Sequence, residues 1–237
     1  MKKEHDYKLL DHGYIKLIET WGSDERIIES ARMSTNKGFL GWGPKPDGKP
    51  GDEKLLKYLW DSAHFSPFEM SGMIIEVQAP IFVFREWVRH RVFSLNELSA
   101  RYTPLPDVNY VPTVERLLLR ESASKQAGTV SGALELTAET AEEYRQELIL
   151  HYEQDQKFYE RALAMGVTKE LARNHLPVGR YSKMRISANL RNWFGFTKLR
   201  SEIDAQWEIR QYSDKIIDII ACEFEQTAKV AGIERNI

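Results

Sequence analysis

Cysteine is nearly absent from this 237-residue chain, Cys222 being the only one. A single thiol forms no internal disulfide and no cysteine-rich zinc site, so a reducing, cytoplasmic setting is expected. Long apolar runs are missing too. No stretch has the length needed to cross a bilayer, and the opening MKKEHDYKLLDHG has no apolar run behind its two lysines, so neither a membrane partner nor a secretory leader is expected. Net charge is also small: 33 Lys and Arg against 35 Asp and Glu leave −2. Such a chain offers nucleic acid no global attraction, and any anion site must be a local cluster. The six histidines never pair at helical spacing with a carboxylate, so no metal is expected. The glycines from Gly41 to Gly51 lack the Gly-Lys-Ser/Thr ending of a phosphate loop, and neither a Rossmann fingerprint nor a nucleophile elbow occurs.

What remains is an ordinary globular composition, 42% hydrophobic and 29% charged, enough for one large domain over residues 1–237. Alternation predicts strands over Gly13–Trp21 and Met73–Ala79, and more weakly over the segment RYSKMRISANL. Helical spacing marks SDERIIESARMS, EKLLKYLWDSAH with Asp52 as its cap, IFVFREWVRHR, and a long amphipathic helix from Ala138 to Met165 with Tyr144, Leu148, Tyr152, Tyr159 and Leu163 on its apolar stripe. TKELARNHL is expected to form a short helix, and Asp204–Val230 a last one that buries Cys222 beside Ile219 and Ile220. Residues Asn36–Asp52 hold five of the 14 glycines and three of the nine prolines, which predicts a surface loop, a candidate lid. Arg120–Ala133 is small and polar and reads as a mobile connection. Together these elements predict an α+β fold, a mostly antiparallel sheet flanked by long helices.

The stretch from Arg85 to Tyr102 is rich in chemistry. Arg85, Arg89, Arg91 and Arg101 are interleaved with His90, Ser94, Asn96, Glu97 and Ser99. Guanidinium forks bind phosphate in bidentate fashion, while like charges four apart on a helix repel unless an anion lies beside them. Composition leaves two readings open: an anion-recognition surface, or a solvated network in which Glu86 and Glu97 neutralise the arginines. A second basic set, Arg173, Arg180, Lys183, Arg185, Arg191 and Arg200, is more readily read as scattered surface charge.

RHRVFSLNELSARY, from Arg89 to Tyr102, resembles the signature of the flavin-dependent thymidylate synthases, RHRxxSxNxxSxR, and holds all seven of its fixed identities. SARMS at Ser30, HFSPFE at His64, APIFVFREW at Ala79, ELARNHLP at Glu170, NLRNW at Asn189 and LRSEIDAQWEIRQY at Leu199 are similar to blocks of the same family in the same order. The resemblance implies a homotetramer with sites where subunits meet. It implies reductive methylation of deoxyuridylate (dUMP) to thymidylate (dTMP), with 5,10-methylenetetrahydrofolate as one-carbon donor and NADPH to reduce bound FAD. Position by position, it sets FAD against Ser66, Arg89, His90, Arg91, Glu97, Asn189, Leu190 and Arg191, with His64 close by. It sets dUMP against Glu86, Trp87, Val88 and Arg89 of one subunit and Glu97, Leu98, Ser99, Ala100 and Arg101 of another, with Arg173 and Ser34. Arg200 is the implied catalytic residue, stabilising negative charge on the pyrimidine, and no cysteine nucleophile is implied. Three positions depart from the family pattern: Glu86 stands where Gln is usual, Gly195 replaces a side chain, and Asp204 replaces a His. A different class, a non-catalytic nucleotide- or RNA-binding module with Trp87, Phe93 and Tyr102 as stacking groups, shares the same cluster.

Overall fold

Three nine-residue strands dominate the structure, a computed structural model that describes residues 5–46, 48–119, 129 and 133–233. They are β2 (Gly13–Trp21), β3 (Gly72–Pro80) and β5 (Tyr181–Asn189). With β1 (Asp6–Leu9) and β4 (Ser94–Glu97) they make a five-stranded sheet in the order β1-β2-β3-β5-β4, every pairing antiparallel. Alternate residues Met73, Ile75, Val77 and Ala79 of β3, and Met184, Ile186 and Ala188 of β5, are buried on one face. The opposite face carries Glu76 paired with Arg185 at 2.5 Å.

Helices cover the apolar face. α1 (Asp24–Arg32) contributes Ile27 and Ile28, α2 (Glu53–Asp61) Leu56 and Leu59, and α3 (Ile81–Trp87) Val83, Phe84 and Trp87. α7 (Leu190–Arg200) adds Leu190, Trp193 and Phe196, and α8 (Trp207–Glu223) adds Ile209, Tyr212, Ile216, Ile219 and Ile220. A single-domain α+β fold results, as expected. The short α4 (Val114–Leu118), the 27-residue α5 (Ala138–Ala164) and α6 (Lys169–Ala172) pack outside this core, Tyr159, Ala162 and Ala172 forming a small cluster of their own.

Several expectations need correction. The helix expected to continue to Arg91 ends at Trp87, because the Val88 N–H closes on Phe84 O and the His90 N–H turns back to Trp87 O at 3.0 Å. Arg89 and Arg91 therefore lie on a turn and do not share a helix face with Arg85. β1 and β4 carry no β-branched residue and only four residues each, so their pairing comes from neighbouring strands rather than propensity. The last helix breaks at Phe224 (φ −133°, ψ 62°), and α9 (Glu225–Val230) begins there. Asp24 explains the break: its buried carboxylate accepts the N–H groups of Gln226 (2.8 Å) and Thr227 (3.1 Å) at the start of α9. Cys222 sits next to that break and is half-buried rather than core. Asp52 stands at the N-cap of α2, but its side chain does not bond to the helix. Its fully buried carboxylate takes the Arg32 guanidinium and the Leu40 N–H, and Trp42 Nε1 donates to Glu25 at 2.9 Å, so the glycine-rich loop is tied down onto α1. On α5, Tyr144 is 49% exposed and only Tyr159 of the expected stripe is buried. The Arg120–Ala133 connection lies, apart from Thr129 and Ala133, outside the described residues. No described helix is long and apolar enough to cross a membrane.

Candidate active site

α3 follows β3 without a loop. Pro80 precedes its first turn, and the N–H groups of Ile81 and Phe82 bond to Arg180 O and Val178 O, both at 3.0 Å. On the other side, β4 pairs with β5 and the Leu98 N–H extends the ladder to Lys183 O at 2.8 Å. Helix and turn are thus fixed over the beginning of β5 with a cavity of about 350 Å³ between them. Its polar wall is Arg85, Glu97, Ser99, Arg173 and Ser182, and its apolar wall includes Ile81, Phe84, Val88, Leu98, Ala100, Leu105 and Leu176. This is the small end of the range for ligand pockets, suited to a mononucleotide rather than a dinucleotide. Arg173 leaves the 3-10 turn Arg173–His175 with a long 3.4 Å bond to Glu170 O, and no carboxylate among the described residues pairs with its charge.

Arg180 frames the cavity without entering it. Completely buried, it donates to Pro106 O (2.8 Å), Asp107 Oδ1 (2.9 Å) and Gln156 Oε1 (2.8 Å), pinning the chain after Leu105 and the middle of α5 to β5.

At the C-terminal end of α7, Arg200 is gripped on three sides. Nε donates to His90 Nε2 (3.0 Å), Nη1 to Glu86 Oε2 (2.6 Å) and Nη2 to Glu86 O (2.9 Å). Among the described residues three of the five guanidinium donors are bound and two are left for a ligand. Burial, and then the Arg200 cation, push the His90 imidazole below its ordinary value. The ring is neutral at pH 7, accepts through Nε2 and carries its proton on Nδ1. It also stacks on Phe93, ring centroids 5.7 Å apart.

The other end of α7 forms a second corner. Asn189 caps the helix, its Oδ1 accepting from Asn192 N at 3.0 Å, and the Leu190 N–H bonds to Ser71 O at 2.8 Å. Arg191 reaches Glu69 in the 3-10 turn Ser66–Met70, which brings His64 and Ser66, both exposed, to the same side of the molecule. Beside Arg191 opens a cavity of about 640 Å³ walled by Trp60, Phe65, Phe194, Ile217 and Ile233, with Lys198 and Gly195 on its border. A Cβ at Gly195 would meet nothing within 4 Å, so packing does not require glycine there. Arg85, Arg89 and Arg91, all exposed, have no hydrogen-bond or ion-pair partner among the described residues. The aromatic-walled space itself, with Arg191 and Lys198 on its border, fits a flavin dinucleotide, whose pyrophosphate needs cations and whose ring needs apolar surfaces.

The family profile described as "Thymidylate synthase complementing protein" matches residues 16–224. The flavin-dependent thymidylate synthase of Wolbachia pipientis wMel is 36% identical over 215 residues, 91% of this chain and 72% of the relative. That of Thermosipho africanus is 37% identical over 90% of this chain and 88% of its own length. This chain belongs to the flavin-dependent thymidylate synthase family. In three dimensions it is similar to a UMP/dUMP methylase from Streptomyces cacaoi, solved with 5-Br dUMP (TM-score 0.78, 28% identity, 98% and 99% of the two chains) and with 5-Br UMP (TM-score 0.77, 29% identity, 94% and 95%).

Seen in a flavin-dependent thymidylate synthase, the residues singled out from sequence fall into separate places. Val88, Glu97, Leu98, Ser99, Ala100 and Arg173 come together around the smaller cavity. Glu86, His90 and Arg200 form the clamp. His64, Ser66, Asn189 and Arg191 share the far corner of α7. Trp87 and Leu190 are completely buried, so their side chains face the core, and Trp87 stacks on Phe196 at 4.7 Å. Arg101 points outward to Glu170 at 2.5 Å, away from the cavity wall, and Ser34 lies outside that wall in a turn of its own, bonded to Ala31 O. Arg85 and Ser182 line the cavity although sequence reasoning gave neither a site role. Arg85 carried a signal in its place within the arginine cluster. Ser182 looked like any small residue of an alternating strand.

Proposed function

We propose that this chain carries out the reductive methylation of dUMP to dTMP with 5,10-methylenetetrahydrofolate, NADPH and FAD, in the cytoplasm and without a cysteine nucleophile. The observation that carries the reading is the Arg200 clamp: a guanidinium oriented by Glu86 and a neutral His90, with two donors left for the substrate, one end of α7 away from the corner where the flavin set gathers. Bound FAD, once reduced by NADPH, supplies the hydride that activates the pyrimidine. Arg89, His90, Arg91 and Glu97 with His64, Ser66 and the Asn189–Arg191 corner would hold it.

dUMP is held by Glu97 to Ala100 and Arg173 around the smaller cavity, with Arg101 and Ser34 at its approach and Glu86 to Arg89 contributed from a second subunit. Arg200 stabilises the negative charge that develops on the ring, and the fixed clamp spares it reorganisation during the reaction. Cys222 lines neither cavity, in accord with a mechanism that uses no thiolate.

A homotetramer accords with two features. Asn189 and Arg200 lie at opposite ends of one helix, about 16 Å apart at 1.5 Å per residue, a separation that favours their meeting one ring from different chains. Along α5, Tyr144, Leu150 and Phe158 are each about half exposed, an apolar surface suited to further copies of the chain.

Purified protein should be yellow, or become yellow with FAD. NADPH oxidation in the presence of dUMP and methylenetetrahydrofolate should yield dTMP. Flavin-loaded protein that makes no dTMP would sink the proposal, and colourless protein that binds RNA would favour the binding-module reading.

A further inference from the structure

The floor of the smaller cavity contains a hydroxyl with nothing to do. Ser182 is 2% exposed, and its Oγ has no hydrogen-bond partner among the described residues. It stands on β5 directly opposite Ala79, a position where alanine would satisfy the sheet equally well. A buried hydroxyl without a partner lowers stability, whereas an apolar group of the same shape is neutral or better. The fold therefore does not explain the serine. Its surroundings do: the same wall carries the Arg173 and Arg85 guanidiniums and the Ser99 hydroxyl, a donor set suited to the oxygens of a sugar phosphate.

We infer that Ser182 is a substrate contact, its hydroxyl making a hydrogen bond to the sugar–phosphate end of the bound nucleotide. This rests on the proposal that the cavity is the dUMP site. It adds a residue outside the signature RHRVFSLNELSARY, on a strand rather than on the turn that carries the recognised contacts. Stability lost in the free protein is recovered when the ligand satisfies the hydroxyl, as is usual for polar groups held ready in a binding site.

The test is calorimetric titration of the flavin-loaded protein with dUMP, paired with thermal melts without nucleotide. Ser182→Ala should bind dUMP about five- to tenfold more weakly, the loss of one hydrogen bond. KM for dUMP should rise by a similar factor and kcat at saturation should stay within about twofold. The same variant without nucleotide should melt at the wild-type temperature or above it, an outcome that a structural role for the hydroxyl does not produce. Ser182→Thr, which keeps the hydroxyl, should recover most of the affinity. Unchanged dUMP affinity in Ser182→Ala, with wild-type binding intact and Arg173→Ala impaired, would overturn the inference and leave the nucleotide site standing. A lower melting temperature with unchanged affinity would overturn it as well. Wild-type protein that binds no dUMP would overturn both.

Discussion

Arg180 and the arginines of the signature turn make a useful contrast. Arg180 is completely buried with three acceptors around it, while Arg89 and Arg91 are exposed with no partner among the described residues. In composition they are the same residue, and neither spacing nor count distinguishes them. The difference lies in who supplies the acceptors. Where the fold supplies them the arginine is a fastener; where it does not, the charge is available to a ligand.

The contrast is tested most sharply at Arg200, which has some acceptors from the fold and two donors to spare. Arg200→Ala should lower kcat at least about 100-fold, the usual scale for a lost charge-stabilising donor, while FAD remains bound and the melting temperature changes little. Turnover near wild type would remove Arg200 from the catalytic role. Arg180→Met should instead cost stability, about 2 kcal/mol, by deleting the bonds to Pro106 O, Gln156 and the half-exposed Asp107, and a melt should show it directly. A soluble Arg180→Met protein as stable as wild type would break the contrast from the other side. Arg89→Ala should leave the melt unaltered but weaken flavin or dUMP binding about tenfold, with a shallower salt dependence in the titration.

A smaller effect concerns pH. In the fold His90 is held below its ordinary value of 6.5, so above that value it is neutral in both states and pH does not matter. Below 6.5 the unfolded chain gains a proton that the folded ring refuses. Stability should fall as pH drops from 6.5 toward the lowered value and level off beneath it. Melts between pH 7.5 and 5 should show this fall, and His90→Asn should flatten it. The smallest effect is expected at Cys222: Cys222→Ser should keep kcat within about twofold, and a folded, flavin-loaded but inactive variant would contradict a thiol-free mechanism.

Much of the fold was legible in the sequence because β2 and β3 are long and alternate clearly, with β5 alternating more weakly, and because α1, α2 and α8 carry dense apolar faces. What escaped was decided by distant partners. β4 has no strand character of its own and exists because β5 offers an edge. The end of α3 at Trp87, which moves Arg89 and Arg91 onto a turn, depends on backbone bonds that helix-forming residues do not announce. Asp52 looked like a cap and is a buried partner for Arg32. Within the site, the signature marked the turn from Arg89 to Tyr102, yet the clamp on Arg200 joins positions 110 and 114 residues apart and no local pattern encodes it. Glu86 was expected among the dUMP contacts and as a neutralising partner within the arginine cluster, and in the structure its carboxylate orients Arg200, which lies outside that cluster.

Asp24 makes its bonds to Gln226 and Thr227 across 202 and 203 residues. The acceptor that closes the first turn of α9 is thus supplied by α1, and the donors that satisfy the buried Asp24 carboxylate are supplied by α9. Each helix completes the other, so a substitution at Asp24 should loosen α9 although it lies far away in sequence.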